Sequence, residues 1–75
     1  MEFKYQLRME WESGNVDFAE LPCGKWEWDS EAELRLDWDA LLLYVNKQKR
    51  IKSYYITRAW EWDSEVIWDS TDEIN

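Results

Sequence analysis

The sequence contains no histidine, one cysteine (Cys23), one proline and two glycines among its 75 residues. A single cysteine excludes an intramolecular disulfide, and without histidine or a second thiol the usual zinc ligand sets cannot be assembled. The lack of histidine also removes the common general-base and nucleophile pairs, and two glycines are too few for a phosphate-binding glycine loop. We therefore expect no catalytic residues, no metal site and no cofactor, and a protein that is not an enzyme.

Long apolar runs are also missing. The longest, Ala40 to Val45, has six residues, whereas a membrane-spanning helix needs about 20. The first segment, Met1 to Trp11, alternates apolar and polar residues and lacks the continuous apolar stretch of a signal peptide. A lone cysteine is typical of a reducing compartment. These features predict a cytoplasmic protein that makes no contact with membranes.

Aromatic residues are abundant, with seven tryptophans, four tyrosines and two phenylalanines. A chain of this length buries only about 60% of the surface that its unfolded form exposes. Each aromatic ring can bury roughly 150–250 Å², so we expect the tryptophans to replace the stabilisation that disulfides or metals give other small domains. The sequence predicts a single domain over 1–75, with 70–75 as a frayed tail.

The formal net charge is −8, which opposes non-specific binding to nucleic acids and to anionic membranes and favours a basic partner. The charges are segregated along the chain. Residues 46–58 carry five basic and no acidic side chains, whereas residues 59–75 carry six acidic and no basic ones. Such runs are often no more than solvated surface, but they also provide complementary patches for association.

Most of the chain has the two-residue alternation of half-buried strands. Phe3 to Trp11 alternates strictly, Gly14 and its neighbours form a hairpin turn, and 16–21 is the expected return strand. Further strands are predicted in 51–62, which is rich in Ile, Tyr, Thr and Trp, and in 66–68. The expected fold is mostly β (α+β), an antiparallel sheet of four to five strands with at most one short helix near 39–49.

Two segments leave alternatives open. Residues 26–39 place apolar side chains at even positions and carboxylates at most odd ones, which favours a strand with a bend near Asp29. The competing interpretation is a helix that begins at the capping box Ser30 to Glu33; it is disfavoured because Leu34 and Leu36 would lie on opposite faces of a helix. Residues 39–49 are predicted as a helix with Asp39 as N-cap, and the alternative is a hairpin of 41–45 with 51–56.

The hexapeptide Trp-Glu-Trp-Asp-Ser-Glu occurs twice, at 26–31 and at 60–65. Three hypotheses account for it: both copies form the same local structure, an aromatic strand that ends in an Asp-Ser turn; both copies belong to one acidic binding face; or each copy holds a ligand. Stacked tryptophans can also form an aromatic cage for sugars or nucleobases, although in a small domain they more often form the core.

Carboxylates on alternate residues of a strand are about 6.6 Å apart, which is comparable with the spacing of phosphates along a nucleic-acid strand. An acidic ladder of this kind fits a basic groove built for DNA or RNA. The predicted partner-binding residues are eight acids and two tryptophan anchors: Glu27, Asp29, Glu31, Glu33, Asp37, Glu61, Asp63, Glu65, Trp28 and Trp62.

By size, acidity and the alternating tryptophan and carboxylate segments 26–39 and 60–69, the chain resembles the small acidic inhibitors encoded by phages and other mobile elements. These include anti-CRISPR proteins, inhibitors of host nucleases or RNA polymerase, and nucleic-acid mimics. The resemblance implies stoichiometric blockade of a basic groove in a host enzyme, without direct binding of nucleic acid. The basic run 46–58 departs from the uniformly acidic surface of many mimics and leaves room for a mixed-charge interface or a self-complementary dimer.

The preferred hypothesis is therefore a protein-binding inhibitor, a monomer or homodimer, whose acidic strand face competes with nucleic acid for a host enzyme. The alternative is a small structural or assembly protein that self-associates through its basic 46–58 and acidic 59–75 segments. A small-ligand module with a tryptophan cage is a further possibility, and it requires a concave aromatic pocket.

Overall fold

A computed structural model of the chain describes residues 2–71. Within this part the chain forms four strands and two helices, and the strands make one antiparallel sheet in the order β2-β1-β3-β4. The elements in chain order are β1 (Lys4–Trp11), β2 (Val16–Phe18), α1 (Glu31–Leu36), α2 (Trp38–Lys47), β3 (Ile51–Trp60) and β4 (Asp63–Asp69). The predicted antiparallel sheet and α+β class are confirmed, with four strands.

The alternation in β1 separates two faces of the sheet. Leu7 and Met9 are fully buried, and they lie opposite Ile56 and Tyr54 of β3. The hairpin from β1 to β2 turns at Gly14, whose φ of 93° is in the left-handed region that glycine adopts without strain. Two-residue periodicity therefore located this part of the fold correctly.

Both helices pack on one side of the sheet, which we call the helix face. The core there combines apolar side chains from strands and helices, and Trp28 is the largest fully buried residue. The buried cluster comprises Leu7, Met9, Ala19, Trp28, Leu34, Leu41, Val45 and Ile56. We call the opposite side the open face; among the described residues no helix covers it.

The prediction of a strand over 26–39 is wrong beyond the bend near Asp29, because residues 31–36 form α1. The Ser30 side chain accepts a hydrogen bond from the Glu33 backbone N–H at 3.1 Å, as a capping box requires. Leu34 is fully buried and Leu36 is 85% exposed. The two leucines do lie on opposite faces of the helix, but only one of them belongs to the core.

The limit of one short helix near 39–49 is also wrong, since α1 precedes α2 and the hairpin alternative for 41–56 does not form. The N-cap residue of α2 is Asp37, not Asp39, and its side chain makes no capping hydrogen bond. That carboxylate instead accepts a hydrogen bond from the Trp28 indole N–H at 2.8 Å. Asp37 therefore ties the end of α1 to the core.

Beyond β4, the Ser70 hydroxyl accepts a hydrogen bond from the Tyr54 N–H at 3.1 Å, and Asp69 accepts one from the Thr71 N–H at 2.9 Å. The remainder of the predicted frayed tail, 72–75, lies outside the described residues. Over 2–71, neither helix has the length and apolarity needed to cross a membrane.

Candidate protein-binding surface

The fold brings both copies of the hexapeptide to the same end of the sheet. Trp28 lies beside the start of β1, and two backbone hydrogen bonds of 2.8 and 2.9 Å join it to Tyr5. On the other side of β1, Lys4 is paired with Ala59, the residue before the second copy. The start of β1 is therefore flanked by one copy on each side.

The first copy contributes two carboxylates to the open face. Successive side chains of an extended segment point to opposite sides, so the burial of Trp28 in the core directs Glu27 and Asp29 to the open face. Asp29 accepts a hydrogen bond from the Lys4 ammonium group at 2.6 Å, and Glu27 accepts one from the Gln6 amide at 3.0 Å. Both carboxylates are thus held against β1.

The second copy adds Glu61, in the tight turn between β3 and β4, where its φ of 36° is in the left-handed region. A groove at this end of the sheet is lined by Glu2, Glu27 and Glu61 together with residues of β1 and β3. A neighbouring hollow is lined by Glu2, Asp29 and Lys4. We call Glu2, Glu27, Asp29 and Glu61 the acidic end.

The ion pair between Lys4 and Asp29 leaves this surface negative. The hydrogen bond and the charge of Asp29 raise the pKa of Lys4, and the same contact with Lys4 lowers the pKa of Asp29. Both groups therefore stay ionised around neutral pH, and the positive charge of Lys4 offsets the negative charge of Asp29. The carboxylates of Glu2, Glu27 and Glu61 supply the net charge of the acidic end.

A chain of hydrogen bonds on the open face orients Glu27. Arg8 donates to the Thr57 hydroxyl at 3.2 Å, Thr57 donates to the side-chain oxygen Oε1 of Gln6 at 2.9 Å, and the side-chain NH₂ group of Gln6 donates to Glu27. Gln6 and Thr57 are 4% and 3% exposed. Because these partners are buried, the Gln6 amide is fixed with its donor toward Glu27. The sequence marked Gln6 only as a polar strand position and gave no sign of this role.

The first copy does not continue into a ladder, because the chain enters α1 at Glu31. Glu31 pairs with Arg35 at 3.4 Å on the helix surface, and Glu33 is exposed in the first turn of α1. Asp37 is engaged by Trp28. A helix rotates successive side chains by about 100°, so the predicted run of carboxylates from Glu27 to Glu33 is broken.

Asp63 and Glu65 lie on β4, opposite Trp60 and Arg58 respectively. Glu65 accepts a hydrogen bond from the Arg58 guanidinium, which raises the pKa of Arg58, with a further contribution from Tyr5. Arg58 also lies over the Phe3 ring, at 4.8 Å from its centre. Glu65 is thus committed to an internal ion pair next to the acidic end.

The two predicted tryptophan anchors differ. Trp28 is 1% exposed, so its ring belongs to the core and leaves almost no surface for a partner. Trp62, in the β3–β4 turn, is 96% exposed and stands between Glu61 and Asp63. Trp26 is 40% exposed and packs against Phe18 with ring centres 4.9 Å apart. The apolar anchor adjoining the acidic end is therefore Trp62.

The opposite end of the sheet is basic. The register that pairs Lys4 with Ala59 also pairs Trp11 with Ile51, and the eight residues of β1 separate these ends by roughly 25 Å. The end of α2, the turn that follows it and the start of β3 carry four exposed cations: Lys47, Lys49, Arg50 and Lys52. Lys52 lies 3.5 Å from Glu10. The sheet therefore has one acidic and one basic end.

No group of three or more potential metal ligands comes together in residues 2–71. Cys23 is an exposed free thiol in the loop that precedes the first copy. The chemistry that the described surface supports is recognition by charge and apolar contact. No protein-family model, curated protein or solved structure matches the chain.

Proposed function

We propose that the chain is a protein-binding inhibitor whose acidic end occupies a basic groove of a nucleic-acid-handling enzyme and competes there with DNA or RNA. The observation that carries this proposal is the meeting of both hexapeptide copies at one end of the sheet, which joins Glu27 and Asp29 to Glu61. The inhibitor is of the kind that phages encode, and it acts stoichiometrically in the cytoplasm of the host, without catalysis.

The geometry of the acidic end suits such a competitor. Glu27 is held by the buried Gln6 amide, so little side-chain freedom is lost when it meets a cation. Trp62 is fully available beside these acids, and exposed tryptophans are the residues that most often dominate binding energy at protein interfaces. Opposite charges raise the association rate and make binding depend on salt.

Displacement by nucleic acid tests this proposal. The full chain, immobilised through a C-terminal tag, captures proteins from a bacterial lysate treated with nuclease. Captured partners should elute with a DNA or RNA oligonucleotide at low salt, because it competes for the same basic groove, and also with salt alone, because salt screens the charges. Partners that resist both treatments would contradict the proposal, since they would bind through some other surface.

A second function, head-to-tail assembly, is favoured by one observation: the acidic and basic ends lie at opposite ends of the sheet. The basic end of one copy can therefore contact the acidic end of the next, and the rotation between copies determines whether such heterologous contacts close into rings or extend into filaments. Because β3 is internal to the sheet, this contact would involve side chains and not strand pairing. Sedimentation at low salt distinguishes the two functions, since assembly requires an oligomer larger than a dimer that dissociates as salt is raised, whereas the inhibitor is a monomer or homodimer.

A further inference from the structure

The outer edge of β4 is a strand edge next to the acidic end. In the order β2-β1-β3-β4, β4 pairs with β3 alone among the described strands. In an antiparallel ladder, alternate residues direct their backbone N–H and C=O groups away from the partner strand. Part of the β4 backbone is therefore available to pair with an additional strand.

This edge has two of the features by which proteins prevent strand addition, acidic side chains and a bulge after Val66, but it is neither short nor interrupted by proline. Natural edge strands are shortened, or carry lysine, proline or a bulge. β2, at the other edge, has only three residues. β4 has seven residues and contains neither lysine nor proline. Its register shifts only after Val66, so that Asp63 to Val66 pair regularly with β3.

The charges on β4 disfavour a second copy of the chain as the occupant. Asp63, Glu65 and Asp69 are its charged residues, and all are acidic. Antiparallel pairing of two β4 strands would bring these carboxylates together across the new ladder, and like charges on facing strands are destabilising. Glu65 already pairs with Arg58, so the attraction for a strand that carries cations comes chiefly from Asp63 and Asp69.

The side-chain pattern of β4 specifies the occupant further. Asp63 and Glu65 share one face, since they lie opposite Trp60 and Arg58. Val66 lies on the other face, opposite Thr57, and is 55% exposed. A complementary strand has Lys or Arg on alternate residues, next to the two acids, and apolar side chains between them, next to Val66.

We propose that the edge of β4 binds an extended segment of the partner protein, with alternating basic and apolar residues, by adding it to the sheet as a fifth strand. Backbone hydrogen bonds supply affinity and alternate side chains supply specificity in this mode of recognition. Strand addition deepens the proposed function, and it rests on that function because it takes the partner to be a basic protein. It places Trp62 at the start of the new ladder, where it contacts the same partner.

A capped octapeptide of alternating Lys and Val is the probe. On titration into the ¹⁵N-labelled full chain, it should shift the β4 resonances and slow hydrogen exchange at alternate β4 amides. Two further peptides carry backbone N-methyl groups. One is methylated at its Lys residues and the other at its Val residues, so the hydrogen bonds of opposite edges of the peptide strand are blocked. One of the two should bind at least tenfold more weakly, and the other should bind like the parent peptide. Equal binding by both, or shifts confined to Glu2, Glu27 and Asp29, would overturn strand addition.

The chain offers a matched pair of variants. Val66→Lys places a cation on β4, and Val16→Lys makes the same change on the other edge strand, where Val16 is 47% exposed. V66K should lower the affinity for the peptide at least fivefold, and V16K should leave that affinity unchanged. Neither substitution alters the acidic end. If V66K binds the captured partner and the peptide as the wild type does, strand addition is refuted and the proposed function is unaffected. If no basic partner is captured, the proposed function is refuted, whatever the peptide result.

Discussion

The two copies of Trp-Glu-Trp-Asp-Ser-Glu have the same sequence but differ in secondary structure and in the burial of their second tryptophan. In the first copy the second tryptophan, Trp28, is buried in the core; in the second copy the corresponding Trp62 is 96% exposed. The serine of the first copy caps α1, whereas Ser64 of the second lies within β4. The hypothesis that both copies form the same local structure is therefore wrong. What they share is a location at one end of the sheet.

The flanking sequence explains the difference. The first copy is followed by Ala-Glu-Leu-Arg-Leu, residues with high helix propensity, and its Ser30 and Glu33 satisfy a helix start. The second copy is followed by Val-Ile-Trp, which favours a strand. It also follows β3 directly, so that Glu61 and Trp62 become a hairpin turn. Context outside the hexapeptide decides which tryptophan is buried.

The largest effect that we predict distinguishes the two tryptophans by stability. Trp28→Ala should lower the free energy of unfolding by about 3–5 kcal/mol, because it opens a cavity in the core and removes the donor to Asp37. Trp62→Ala should change it by less than about 0.5 kcal/mol. Urea titration followed by far-UV circular dichroism measures both. Should W28A not fold, Trp28→Phe provides a milder loss in the same direction. Similar losses for W28A and W62A would refute the difference in burial.

An intermediate effect separates the two serines. Ser30→Ala removes the N-cap of α1 and should cost about 1 kcal/mol, whereas Ser64→Ala, on the exposed edge strand, should cost less than about 0.5 kcal/mol. Ser30→Asp retains a capping oxygen and should recover most of the loss. The same urea titrations apply. A larger cost for S64A than for S30A would contradict the assignment of the stabilising cap to Ser30.

The sequence predicted the parts of the fold that are encoded locally. Strict alternation identified β1, and Gly14 identified its turn. The helix α1 was disfavoured by the assumption that Leu34 and Leu36 are both buried. The assumption fails because Leu36 is exposed to solvent. Alternation around Trp28 did place Glu27 and Asp29 on one face. Their meeting with Glu61 depends on the register between β1 and β3, which joins residues 40 to 55 positions apart and leaves no local signal.

The smallest effect concerns pH and the ion pair of the first copy. The contact with Lys4 lowers the pKa of Asp29, so its stabilising contribution is present above the unfolded pKa of about 3.9 and is lost as pH falls through the lower folded pKa. The effect is small because the two side chains are 45% and 73% exposed. In a ¹³C NMR titration, Lys4→Met should raise the Asp29 midpoint, and Lys52→Met, at the other end of the sheet, should leave it in place. Equal shifts in both variants would exclude a specific pair.

The central claim is that the acidic end, and not the overall negative charge, is the surface that binds a basic partner. Charge reversal tests it most directly. One variant carries Glu27→Lys, Asp29→Lys and Glu61→Lys, and a control carries Glu12→Lys, Glu20→Lys and Glu33→Lys at exposed positions elsewhere. Both variants change the net charge by the same amount, and circular dichroism checks that both retain the fold.

The measurement is the affinity of each variant for the partner that DNA or RNA displaces from the wild-type chain, at low and at physiological salt. We predict at least a hundredfold loss for the acidic-end variant, equivalent to about 2.7 kcal/mol, and a loss of less than about tenfold for the control. Equal losses in the two variants, or undiminished binding by the acidic-end variant, would contradict the account.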